Sequence, residues 1–525
     1  MRSVHDVVVV GCGIAGLTCA IRCREAGRSV LVLTKTDAPE DTNTNLAQGG
    51  IIAWREGQHS ELLERDIRAA GCDYNDPETV ARFSREAPHR VFDFLIDRAG
   101  VQFSPAADGS LDYTEEAAHS ERRILHFEDH TGDTIQHALL DLAIKTGVEL
   151  RSAWTAVDLI TNDHHSRDPR ELYRPREVLG LYVLENSTGL VHTVFADAVV
   201  LATGGIGNIY KFTTNPPAAT GDGLAMAHRA GADIINCEFM QFHPTSLFHK
   251  DIKRFLISES LRGEGAKLVD RTGQPFMERY SSQGDLAPRD VVSRGIFEEM
   301  ARQGVEYLML DLAGNYRGSE PIETRFSRIY TTCLKGGIDI TRQAIPIVPA
   351  AHYFCGGIKV DSAARSSLRR LYAAGEASCS GLHGANRLAS TSLLEGLHQG
   401  WDAAADICTA ASGASQQELA ARRAEIPDWE FPRQAEQFEL PLIYQDWNMI
   451  KLTMWNQAGI VRTRRGLERA QADLNYHAHR ITKFYREAEL NRDIIELRNG
   501  VTAAQLVVGA AFHNQRSVGC HYRKD

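Results

Sequence analysis

The stretch "HDVVVVGCGIAGLTCAIRCREAGRSVLVLTK", His5 to Lys35, decides the fold. Its four consecutive valines read as a buried strand. Small and apolar residues at helical spacing follow a glycine turn, Gly27 terminates that helix, and "SVLVL" begins a second strand. The pattern is a βαβ unit, the opening of a doubly wound α/β sheet. Gly11, Gly13 and Gly16 form G-x-G-x-x-G at the strand-to-helix turn. There the backbone turns tightly and a pyrophosphate can approach the unpaired N–H groups of the helix start. Alone the pattern is weak, since glycines also serve close packing of strand on helix. Its place between a strand and a helix favours dinucleotide binding, with Gly11, Cys12, Gly13, Ile14, Ala15 and Gly16 as the contacts.

Working outward, the second strand ends in Thr34 and Lys35, where an NAD site places a ribose-binding acid. Lys35 would suit a 2′-phosphate, so NADP stays open at this point. Flavin is favoured by the lack of a second G-x-G-x-x-G and by a later glycine segment ending in "ASTSLLEG". In that segment Ser392 and Glu395 have capping-box spacing at the start of an apolar helix. The positive end of such a helix favours charge on a reduced flavin ring, which makes Ser392 and Leu393 further candidate contacts.

Two more buried strands end in glycines, at "ADAVVLATGGIG" (196–207) and within "LRRLYAAGEASCSGLHGANRLASTSLLEG" (368–396). Residues 236–350, with mixed polar helical stretches, read as an inserted α+β domain. From 430 to 525 Arg- and Glu-rich helical spacing, as in "RTRRGLERAQADLNYHAHRITKFYREAEL", predicts a helical bundle, and the polar "GASQQELAARRAEIPDWEFP" reads as the linker before it. The expected organisation is a cofactor-binding domain over 1–235 and 351–410, a capping domain over 236–350, and a helical domain over 430–525. The 525 residues exceed what one compact core accommodates.

A formal charge of -10 gives no general hold on nucleic acid or an anionic membrane, although a local basic patch would still attract a small dianion. No apolar run is long enough to span a bilayer, and the charged start lacks a signal-peptide core. Ten cysteines without a C-x-x-C pair argue against iron–sulfur or zinc sites and fit a reducing compartment, so a cytoplasmic location is expected. Cys19 and Cys23, at i, i+4 spacing, read as small core residues.

Eight segments then become specific: "NLAQGG" (45–50), "HSERRILH", "TTNPPAATGDGLAMAHRAGA", "QFHPTSL", "LRGEGAKL", "LAPRDVV", "VPAAHYFCGG" and "GLHGANRLASTSLLEG". Together, from about residue 5 into the C-terminal helical region, the chain resembles the succinate dehydrogenase and fumarate reductase flavoprotein family. The resemblance implies an FAD-binding Rossmann-like domain with a mobile capping domain. It implies that His243, His352 and Arg387 bind the two carboxylates of a four-carbon substrate, with Ser258 standing where the family usually has a threonine and Glu259 beside it. Arg289 falls on the family's catalytic arginine, either as a proton-transfer group or as an electrostatic stabiliser. The chemistry suits these residue types, because a dianion buried over a flavin requires opposite charge and fixed hydrogen bonds. Asn43, Thr44, Asn45, Leu46, Ala47, Gln48, Gly49, Gly50, Lys35, Asp222 and Glu376 complete the implied cofactor contacts. No metal site is implied. His228, His249 and His398 read as ordinary core or surface residues, and Arg262 and Arg294 as structural ion-pair partners.

Membrane members of the family attach FAD through a histidine whose place is Asn43 here, so the resemblance implies non-covalent FAD. It points to the soluble branch that oxidises L-aspartate to 2-iminosuccinate, with oxygen or fumarate as acceptor, at the first step of NAD synthesis and coupled to quinolinate synthase. Glu116 occupies the place of that branch's ammonium-binding glutamate, but the two glycines that follow in the branch are Ala117 and Ala118. Alanine disfavours positive φ, so a different loop shape is expected. The rivals are a soluble fumarate reductase and, from another class, a tRNA-modifying flavoprotein.

Overall fold

A computed structural model describes residues 2–54, 60–116, 118–164, 166, 168–409, 416–432 and 440–525; Ala117 lies outside them. The valine run forms β1 (Arg2–Val10), followed by α1 (Ile14–Glu25) and β2 (Val30–Leu33). With β3 (Glu149–Arg151), β4 (Trp154–Thr161), β5 (Val178–Glu185) and β6 (Leu190–Leu201) they build a sheet in the order β3-β2-β1-β6-β5-β4, and Leu371–Ala373 also pairs with β6. Pairing is parallel from β3 to β6 and antiparallel in the β6-β5-β4 meander. Val7 to Val9 and Leu31 to Leu33 are fully buried, as expected of parallel strands covered on both faces. The α/β class and its dinucleotide-binding core are therefore present. Helix α2 (Asp222–Ala230) packs against β4.

The inserted segment contributes an antiparallel sheet in the order β7-β10-β9-β8, from β7 (Met240–Leu247), β8 (Lys267–Val269), β9 (Leu308–Asp311) and β10 (Ile345–Phe354). Strand β10 runs unbroken across residues 350 and 351. Helix α3 (Arg289–Gln303) packs on β7. Returning to the first sheet, α4 (Ser392–Thr409) lies against α1.

The polar stretch expected as a linker instead contains α5 (Gln416–Glu425). Leu419 and Ile426 are buried against Val157, Leu179 and Tyr182 of the meander, and Arg423 pairs with Asp197 at 2.8 Å. One buried apolar group in a charged helix and a second just past its end suffice to dock it. Helices α6 (Leu440–Gln457), α7 (Arg464–Glu487) and α8 (Arg492–His513) pack on one another. One apolar core runs from Val8 and Leu31 through Ile296 and Ile347 to Leu474 and Val507, so the inserted and C-terminal segments share the core of the first sheet. Among the described residues no helix is long and apolar enough to cross a membrane.

Candidate active site

A cavity of about 750 Å³ runs between the ends of β1, β2 and β6 and the inserted segment. Its first half is made by backbone. Gly11 has φ +111°, and a Cβ there would stand 2.1 Å from the Ala202 carbonyl oxygen, so only glycine lets β1 turn at this point. Gly13 caps α1, and the Ile14 N–H donates to Thr44 Oγ1 at 3.0 Å, which ties the glycine turn to the residue just before "NLAQGG". Gln136 strengthens the tie: it accepts from Thr42 Oγ1 at 3.0 Å and donates to the Cys12 carbonyl at 2.8 Å. This fully buried glutamine lies in an apolar helical stretch and gave no signal in the sequence.

Gly11 to Ala15, Lys35, Asn43, Thr44, Leu46 to Gly50, Asp222, Glu376, Ser392 and Leu393 all border the cavity. Gly16 and Asn45 do not: Gly16 packs on the Gly11 carbonyl, and the Asn45 backbone N–H donates to the Thr42 side chain. Lys35 makes three internal bonds, to Asp222 at 2.6 Å, Thr220 at 2.7 Å and Glu496 at 2.8 Å. An ammonium has three donors, so none remains for a 2′-phosphate and the NADP reading fails. Burial opposes the Lys35 charge, but Asp222 and Glu496 outweigh it and hold its pKa above the ordinary value. Asn499 of α8 also donates to Asp222, at 2.9 Å. Glu496 and Asn499 were invisible in the sequence because almost the whole chain separates them from Lys35.

Glu376 accepts from the Phe354 N–H at 2.9 Å and from Asn43 Nδ2 at 3.0 Å, and burial pushes its pKa up to about 7. A buried carboxylate short of donors suits a ligand rich in hydroxyls. Together with the glycine turn at a helix start and a cavity of this size, these residues fit an extended dinucleotide such as FAD.

The second half is made by side chains. His243 stands on β7 at a register irregularity, and His352 on β10, with ring centroids 5.4 Å apart. His352 Nδ1 lies 2.8 Å from Thr214 Oγ1, and the Thr245 N–H approaches His243 Nδ1 at 3.2 Å. Burial pulls both pKa values well below the usual histidine range, assisted by Arg289 at His243 and by Arg387 at His352, so both rings are neutral. Arg387 donates to Ser392 Oγ at 3.0 Å and to Gln241 Oε1 at 3.2 Å, and stacks 4.5 Å from the Tyr353 ring centroid.

Arg289 is the first residue of α3, so the Pro288 turn aims its side chain back into the cavity. Its Nε donates to Glu259 Oε2 at 2.6 Å, and Arg262 donates to Glu259 Oε1 at 2.8 Å. Burial works against the Arg289 charge, yet Glu259 and Glu116 raise its pKa above the ordinary value. Both oxygens of Glu259 are thus occupied by arginines. It borders the cavity and fixes the position of Arg289. Ser258 borders the cavity and accepts from Ser260 Oγ at 2.8 Å. Arg294 is a surface partner of Asp290 at 2.9 Å, and His398 packs edge-on to Phe83.

Glu116 reaches the same cavity, accepting from Ser390 Oγ at 2.8 Å. Ala118 takes φ 68°, so the backbone here keeps a left-handed residue although a Cβ opposes it. The loop is anchored beyond that point: the fully buried Arg123 pairs with Asp66 and donates to His119 Nδ1 at 3.1 Å, and His119 Nε2 lies 3.0 Å from the Ala389 carbonyl. The capping box expected at Ser392 is absent. The Thr391 backbone carbonyl accepts the Glu395 N–H at 2.8 Å, Ser392 serves Arg387, and the Glu395 carboxylate accepts from Tyr353 at 2.6 Å. Among the groups just described, Arg262, Arg289 and Arg387 bring guanidiniums beside Glu116 and Glu259, and the forks of Arg289 and Arg387 are donors suited to the oxygens of a small dianion.

The FAD binding domain family matches residues 6–393, and the C-terminal region of the fumarate reductase flavoprotein family matches residues 448–525. L-aspartate oxidase 1 of Ralstonia nicotianae is 41% identical over 99% of this chain and 95% of its own length. L-aspartate oxidase of Yersinia pestis is 42% identical over 99% and 96%. Among solved structures, a mutant E. coli quinol fumarate reductase FrdA superposes with TM-score 0.84 at 27% identity, over 100% of this chain and 92% of that one. Fold, cavity and whole-length likeness agree: this chain belongs to the L-aspartate oxidase family of FAD-dependent flavoproteins.

Proposed function

We propose that the chain oxidises L-aspartate to 2-iminosuccinate with non-covalently held FAD, the electrons passing on to oxygen or fumarate, as the first step of NAD synthesis in the cytoplasm. One observation carries the reading. Glu116 brings a carboxylate, held by a serine hydroxyl, into the cavity that Arg289, Arg387 and two neutral histidines line. Two anionic ends require the cations, and an ammonium requires the carboxylate; succinate offers nothing to Glu116.

Arg387, fixed by Gln241 and Ser392, grips one carboxylate in its planar fork. Neutral His243 and His352 donate to the other polar oxygens without adding charge. Bound FAD supplies a hydride acceptor for the Cα–H, while the substrate nitrogen gives up one proton. Arg289, kept charged by Glu259, offsets the fixed negative charge of the substrate carboxylates and holds the molecule for reaction. Asn43 is an amide without a nucleophilic ring nitrogen, which supports reversible cofactor binding. The imine is hydrolysed by water to oxaloacetate and ammonia, so consumption by quinolinate synthase has to be prompt.

Anaerobic mixing tests the reading. L-aspartate is expected to bleach the bound flavin and succinate to leave it yellow, with peroxide released once air is admitted. Bleaching by succinate alone would assign the site to a succinate and fumarate couple and leave Glu116 without its role.

A further inference from the structure

Arg254 borders the same cavity from the segment that follows β7, and nothing in the proposed chemistry uses it. It is held at φ 62°, a conformation costly for any residue with a Cβ. Its Nη2 lies 3.3 Å from Asn208 Oδ1, and its Nε is buried with no partner. Lys451 of α6 donates to the same Asn208 Oδ1 at 3.2 Å. The orientation of that amide is fixed, because Asn208 Nδ2 donates to the Pro217 carbonyl at 2.9 Å. Two cations therefore converge on one neutral oxygen.

Among the described residues, neither forms an ion pair with any Asp or Glu. Burial, reinforced by Arg254, pushes the Lys451 pKa down to about 8, and the more distant Glu496 only partly opposes this. Like charges brought together out of water repel unless an anion lies between them. Lys35, the lysine that borders the same cavity, has two carboxylates.

We infer that Arg254 and Lys451 form a binding site for an oxyanion, the carboxylate of a small acid or a phosphate, behind the stretch of cavity wall that Arg254 supplies, where the loop after β6, the segment after β7 and α6 meet. The unpartnered Arg254 Nε and the Lys451 ammonium supply the donors, and the Asn208 oxygen holds the two cations in place without cancelling their charge. The inference does not depend on which amino acid is oxidised.

The reactivity of Lys451 tests it directly. FAD-loaded full-length protein is pulsed with acetic anhydride at pH 8 and constant ionic strength, and acetylation of Lys451 is read by mass spectrometry. Without added anion Lys451 is expected to react faster than the surface lysines. Inorganic phosphate or succinate, seated against the amine, restores its charge and slows the reaction about fivefold. Protection by phosphate at the lower concentration assigns a phosphate source, and by succinate a carboxylate source. Arg254→Gln is expected to lose the protection and Arg254→Lys to keep it, both with unchanged thermal midpoints. Absence of protection by either anion would overturn the site. So would full protection in Arg254→Gln, or protection brought about by FAD loading alone, which would mean that the flavin's own phosphates fill the position.

Discussion

The two halves of the cavity are built in opposite ways. The dinucleotide half is backbone: Gly11, Gly13 and the Asn43–Gly50 segment shape it, and neighbours in sequence are neighbours in space. The substrate half is side chain: Glu116, His243, Arg289, His352 and Arg387 come from five separate segments and meet through β7, β10 and the start of α3. A backbone site tolerates changes at any side chain that does not fill it. A side-chain site loses its chemistry one residue at a time while its scaffold stands.

This contrast predicts graded outcomes. The largest is expected for Arg289→Leu, which removes the fixed positive charge: L-aspartate oxidation should fall at least about 10³-fold. The flavin spectrum should be unchanged, since no cradle contact is touched. Flavin loss in this variant would blur the division between the halves. Gly11→Ala should do the reverse, driving a Cβ into the Ala202 carbonyl at 2.1 Å. Strain of about 1–3 kcal/mol corresponds to as much as about 10²-fold weaker FAD binding, measurable by flavin fluorescence, while the substrate cluster keeps its geometry.

Glu116→Gln is smaller and selective. Loss of one charge-assisted contact costs about 1.5–3 kcal/mol, so aspartate turnover should drop roughly 10- to 10²-fold. Fumarate reduction, which offers no ammonium, should change little. Equal losses in the two assays would remove Glu116 from substrate discrimination.

The mildest effect is on stability against pH. His243 and His352 are held neutral in the fold, with pKa values well below the ordinary histidine value of 6.5. Between those depressed values and 6.5 the unfolded chain binds protons that the folded chain does not, so stability is fully present above pH 6.5 and declines as pH falls. His119, pulled down to about 4 by burial and Arg123, adds to the same slope. The thermal midpoint should be lower at pH 5 than at pH 7, and His352→Gln should flatten the difference. A flat profile in the parent protein would mean that these rings take up protons in place.

The same contrast explains what the sequence disclosed. The glycine turn was legible because Gly11, Gly13 and Gly16 are contiguous and dictate local backbone; so was the α/β core that the valine run begins. The 2′-phosphate alternative at Lys35 stays open in the sequence because its partners, Asp222 and Glu496, lie far along the chain. Ser392 and Glu395 have capping spacing, but Arg387 and Tyr353 compete for their side chains and tertiary bonds win. Helix α5 reads as a linker because Leu419, with Ile426 just past its end, is all the apolar surface it buries against the meander. The residues placed around the substrate cavity came from the family resemblance and not from spacing, since periodicity cannot bring Glu116 beside Arg289. Ala118 shows the limit of residue preference: the Arg123 and His119 anchors hold a left-handed turn that alanine disfavours.

The ties from Lys35 and Asp222 to α8 also set an order of assembly. A nascent chain emerging from the ribosome carries its glycine turn from the outset, but the pocket around Lys35 closes only when Glu496 and Asn499 have been synthesised. Cofactor capture is thereby a late event in the life of the polypeptide, and a message cut short upstream of α8 yields a chain that cannot complete its nucleotide seat.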